Sequence, residues 1–144
     1  LALETRIIEL AKRENLKAVE LNENERELHV AISKILHQLG IPSHIKGYSY
    51  IRESVFLFYK NSDSYGGITK EIYPEVALKF STTASRVERA IRHAIEVSWS
   101  RGDYDLMEEI FGNSVAFDKA KPTNSEFIAT IADRLRYDKK LLQV

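Results

Sequence analysis

Apolar residues recur at helical spacing along most of the chain, and the clearest case lies between Thr82 and Ser98. At about 100° per residue, Val87, Ala90, Ile91, Ala94, Ile95, Val97 and Ser98 fall on one half of a helix. Arg86, Glu88, Arg89, Arg92, His93 and Glu96 fall on the other half. Upstream, Ile32, Ile35, Leu36 and Leu39 predict a helix that Gly40 stops, with Pro42 just beyond. A second helix is expected from about Ser43 through Tyr48, Ile51, Val55 and Phe58, followed by a loop over 61–67. Ile68 to Tyr73 can begin another helix, with Pro74 in its first turn or at a kink, and Val76, Ala77 and Phe80 supply its apolar face.

A turn over Ser81–Ala84 precedes the arginine-bearing helix, which ends at Gly102. Ser85 and Glu88 have capping-box spacing, although Thr82 or Thr83 serves equally as N-cap. A short helix through Leu106, Ile110 and Phe111 stops at Gly112. Thr123 is expected to cap the last helix, with Glu126 at its third position and Phe127, Ile128, Ile131, Ala132 and Leu135 as its stripe. Residues 113–122 read as irregular, with Val115–Phe117 briefly extended. The expected class is all-α, about six helices in a bundle. Residues 1–27 are charge-rich and poor in apolar positions, so they read as a helical linker or loosely docked arm, with the folded domain over 28–144.

A chain of 144 residues is long enough for one domain with its own core, and 44% hydrophobic and 29% charged residues are ordinary for a globular protein. The chain starts at Leu1 without Met and reads as a fragment. Its lack of cysteine excludes disulfides and thiolate metal sites and agrees with a cytoplasmic location. No apolar run approaches the ~20 residues of a membrane span. The net charge of zero averages unlike segments. Five cations stand against two acids over 79–101, five acids stand without a cation over 102–118, and six cations face three acids over 119–140. Such alternation allows a cationic face for nucleic acid and a separate acidic surface.

A helix of about seven residues over Pro74–Phe80, a turn, and a longer helix over Ser85–Arg101 have the proportions of a helix-turn-helix. Many helical bundles contain such a corner, and a solvated amphipathic helix has the same pattern. The chemistry separates the readings, because Arg suits guanine edges and phosphates while Glu accepts from the cytosine amino group. No enzyme signature competes. His29 and His37 stand eight apart, His44 follows a turn, and Gly66-Gly67 lacks the lysine of a phosphate loop. Asp103 and Asp105 read as a solvated turn, and Trp99 as a ring covered by the following helix.

Four blocks carry a resemblance: Gly40–Tyr48, Ser81–Val97, Trp99–Gly102 and Lys121–Ala129. Together they resemble the C-terminal effector domain of the stage-zero sporulation response regulator, over about Leu28 to Tyr137. The resemblance implies a six-helix DNA-binding domain with a helix-turn-helix that activates and represses transcription. It also implies an N-terminal receiver domain outside this chain, phosphorylated on Asp and binding a divalent metal, with no cofactor in this domain itself. By the same resemblance Arg86, Glu88 and Arg89 reach base edges in a box of the form TGNCGAA. Thr82, Thr83, Ser85, Arg92, His93, Lys139 and Lys140 are then backbone or flanking contacts, the two lysines following the last helix. Gly102, Asp103, Tyr104, Leu106 and Phe111 correspond to the contact with the sigma subunit of RNA polymerase, in a segment more acidic here than is usual. The implied partners are promoter DNA, polymerase and a second copy bound head-to-tail on tandem boxes, with no membrane. The alternative reading is a protein-interaction module that uses the acidic 103–109 surface without base-specific binding.

Overall fold

The computed structural model describes residues 2–61, 67–112 and 121–142, and those residues contain helices and no strand. The order is α1 (Ala2–Gln38), α2 (Lys46–Asn61), a π-helical turn (Ile68–Ile72), α3 (Tyr73–Lys79), α4 (Ala84–Arg101), α5 (Tyr104–Phe111) and α6 (Asn124–Leu142). The all-α expectation holds, with six α-helices and the π-turn as an additional element. Most of the loop expected over 61–67, and the extended stretch at 115–117, lie outside the described residues.

Two compact units divide between Val30 and Ala31, against a boundary after residue 27 in the sequence reading. In the first, the large apolar residues Leu3, Ile7, Ile8, Leu10 and Leu16 are all exposed. The second is built around fully buried Ile32, Leu36, Ile51, Val55, Ile72, Val76, Val87, Ile91, Phe127, Ile128 and Ile131. Its central helix, α4, packs against α2, α3 and α6. At Gly47 the α2 backbone lies so close to α4 that a Cβ there would overlap the Ala90 carbonyl and stand 2.7 Å from the Ala94 Cβ. Small residues on both helices therefore set their separation.

Both helix stops that precede key turns are Schellman closures. At the end of α1, Gly40 (φ 80°) donates to His37 O and Ile41 to Leu36 O, each at 3.0 Å. At the end of α3, Ser81 donates to Leu78 O at 3.4 Å and Thr82 to Ala77 O at 2.9 Å. Ser81 holds φ 53°, a left-handed conformation that favours glycine, and so carries local strain. The second helix starts at Lys46, later than Ser43, because the Pro42 carbonyl first accepts from Ile45 N and closes a turn.

Three aromatic rings close the bundle where α4, α5 and α6 meet. Trp99 lies 5.4 Å from Phe111 and 6.4 Å from Phe127, and those two stack at 5.2 Å. Trp99 is thus covered as expected, by α6 as well as α5. Ser98, fully buried, donates from Oγ to Leu39 O at 2.6 Å and ties the end of α4 to the turn after α1.

Candidate nucleic-acid interface

The π-turn, α3 and α4 place the cationic helix face at the surface. Pro74 sits in the first turn of α3, where its missing N–H costs nothing. Thr83 is the N-cap of α4: its Oγ1 accepts from Arg86 N at 3.3 Å, so the capping is local and leaves Ser85 in the first turn. Ser85 and Glu88 therefore do not form a capping box. Ala84 and Ser85 bring N–H groups to a helix end whose dipole favours an anion.

Behind this turn Val87, Ile91, Ala94 and Ile95 are buried, which fixes the rotation of α4 and leaves Arg86, Arg89, Arg92 and His93 exposed. Ser85, Arg86, Glu88, Arg89 and Arg92 line a shallow hollow of about 280 Å³. Arg86 and Arg89 stand three residues apart, about 4.5 Å along the axis, and so are neighbours on one face of α4. Arg92 Nη2 holds Glu88 Oε1 at 2.7 Å. Among the described residues neither Arg86 nor Arg89 enters an ion pair, so both guanidinium forks are available to a ligand. The Arg92–Glu88 pair is exposed and therefore easily exchanged for other partners.

On the other flank of Arg92 a groove of about 470 Å³ runs between α4 and the start of α6, lined by Tyr73, Glu88, Glu96, Lys121 and Asn124 among others. Lys121 Nζ approaches Glu96 Oε1 to 3.9 Å. Asn124 donates to the main-chain carbonyl of Glu88 at 2.9 Å. Burial raises the Tyr73 hydroxyl above its ordinary range. A hydrogen bond with Asn124 opposes this, the Glu88 carboxylate adds to it, and the Arg92 guanidinium lowers it. Sequence reasoning missed Tyr73 and Asn124; the only signal for Asn124 was its place beside the Thr123 cap, which does accept from Glu126 N at 3.2 Å.

The other expected site residues belong to other elements. Lys139 and Lys140 lie within α6, which runs to Leu142, so they do not follow the last helix. Of the proposed polymerase contacts, Tyr104 is 62% exposed, while Phe111 is fully buried. Phe111 cannot touch a partner and instead supports the surface from within. Asp103, exposed in the turn as expected, is also the N-cap of α5, its Oδ1 accepting from Asp105 N at 3.0 Å and Leu106 N at 3.2 Å. Gly102 leads into that cap, and Leu106 is half-buried. Arg134 on α6 holds Glu109 Oε1 at 2.9 Å, and this bond raises the guanidinium further above its ordinary range.

No helix among the described residues is long and apolar enough to cross a membrane. The model of the family described as sporulation initiation factor Spo0A C terminal matches residues 32–135. The chain belongs to that family, the DNA-binding domain of a response regulator that controls transcription in sporulation.

Proposed function

We propose that this member of the family reads a short duplex box of the form TGNCGAA in the major groove, through the N-terminal half of α4. The observation that carries the reading is the pair Arg86 and Arg89, exposed, in no ion pair among the described residues, and neighbours on a helix whose opposite side is buried. Their forks suit the O6 and N7 edges of guanine, and the Glu88 carboxylate suits the cytosine amino group. Arg92 and His93, further along the face, meet phosphates, as do Thr82, Thr83 and Ser85 around the helix start. Arg92 also holds Glu88 in reach before DNA arrives. Lys139 and Lys140 serve flanking DNA.

In this reading residues 28–144 form the effector domain, residues 1–27 join it to a receiver domain, and no cofactor is needed in the effector itself. The chain acts in the cytoplasm on promoters, activating some genes and repressing others, as a head-to-tail dimer on tandem boxes. Tyr104 and the acids of α5 offer the surface for the polymerase sigma subunit.

A fluorescence titration with a TGNCGAA duplex and a scrambled control tests base reading. Arg89→Ala is expected to cost about 1–3 kcal/mol on the cognate box and far less on the scrambled one. Equal losses on both duplexes would overturn it. Binding to both falls steeply as salt rises, because each phosphate contact releases condensed counterions. If the protein-interaction reading held instead, the wild-type chain would not distinguish the duplexes.

A further inference from the structure

Apolar packing holds α4 in the domain, but it is non-directional and does not by itself fix the helix to within a few tenths of an ångström. Base-edge hydrogen bonds demand that precision. Two directional bonds tie α4 to other elements, and the one at the reading end supplies that precision. At the far end Ser98 Oγ donates to Leu39 O at 2.6 Å. At the reading end the Asn124 amide donates to Glu88 O at 2.9 Å, across 36 residues of sequence. That carbonyl belongs to the turn that presents Arg86 and Arg89, and a carbonyl oxygen has a second lone pair beyond the one used within a helix.

Asn124 also borders the same groove as Tyr73, which is 2% exposed on α3. The amide therefore ties α6 to the second helix of the helix-turn-helix at the point where the first lies alongside. From the solvent side Arg92 holds the Glu88 carboxylate. Residue 88 is thus anchored twice, by its backbone from within and by its side chain from outside.

We propose that Asn124 is a positioning residue for base recognition: through the Glu88 carbonyl it sets the depth and rotation at which the Arg86–Arg89 turn meets the groove. The assignment rests on the base-reading role given to that turn above. Asn124 itself stays half-buried behind the face and need not touch a base.

The test compares dissociation constants on the TGNCGAA duplex and a scrambled duplex, at fixed salt and a temperature where circular dichroism shows every variant folded. Asn124→Ala is expected to lower the cognate-to-scrambled ratio roughly tenfold while scrambled affinity stays near wild type. Asn124→Asp does not rescue it, because a carboxylate offers no donor to the Glu88 carbonyl. This variant keeps the shape of the side chain, lowers the ratio as Asn124→Ala does, and carries the test if Asn124→Ala fails to fold. Ser98→Ala lowers the melting temperature and leaves the ratio unchanged.

A wild-type ratio retained in Asn124→Ala and Asn124→Asp would overturn the positioning role while leaving base reading intact. Equal losses on both duplexes would do the same. A wild-type ratio near one would overturn base reading, and the positioning role with it.

Discussion

Two stretches of this chain are helical and dense in charge, residues 3–27 of α1 and the polar face of α4, and they differ in what lies behind the charge. In α4 the opposite face carries Val87, Ile91 and Ala94 with no exposed surface. In α1 the apolar residues Leu3, Ile7, Ile8, Leu10 and Leu16 are 54–75% exposed. Charge and spacing suffice to make a helix in both places. A face with a defined direction needs burial of the opposite side, which selects the rotation about the helix axis that a directional bond can then refine. The Arg86–Arg89 turn has this support, and the charges of α1 lack it.

The sharpest way to break the comparison is a matched pair of truncations followed by chemical denaturation. Ile91→Ala is expected to cost about 2–5 kcal/mol, the range for an emptied core site. Ile7→Ala, at a 59% exposed site, should change stability by about 0.5 kcal/mol or less. Comparable losses at the two sites would mean that α1 is buried against something in solution.

A smaller effect is expected at the C-terminal anchor of α4. Ser98→Ala leaves the Leu39 carbonyl buried without its partner and should cost about 1–3 kcal/mol. Thr83→Ala removes the α4 cap, at about 1 kcal/mol, read as a lower melting temperature. Ser81→Gly runs in the opposite direction: relief of the left-handed strain should leave stability level or raise it by up to about 1 kcal/mol, although the unfolded chain gains entropy.

The smallest effects concern ionisation. Arg92→Ala removes an exposed pair and should change folding stability by less than about 1 kcal/mol, while reducing the salt dependence of DNA binding. Folding raises the Tyr73 pKa, so the folded state favours the protonated phenol. Its contribution is complete below the ordinary value of 10.0 and is lost as pH rises through the raised folded value. Tyr73→Phe should flatten that alkaline decline in a pH series of melting curves.

Much of the reading helix is legible in the sequence because its signals are local. The 3.6-residue period separates buried Val87 and Ile91 from exposed Arg86 and Arg89. Pro74, Thr83 and Gly102 punctuate the elements within a few residues of where each ends. Even so, local signals left three candidates for the α4 cap, and the family resemblance placed Phe111 at a surface. Helical spacing says which residues share a face, but not which face a neighbouring element will cover. The rings of Trp99 and Phe127 are what enclose Phe111.

The sequence by itself determined the all-helical class, the two faces of α4 and the turn before it, all set by interactions within a few residues. Tertiary structure alone decided which polar groups became anchors. Ser98 finds Leu39 across 59 residues and Asn124 finds Glu88 across 36, pairings that no local period encodes. A hydroxyl or amide on an exposed helix would be satisfied by water. It becomes a directional tie only when packing excludes water and brings a distant carbonyl within reach.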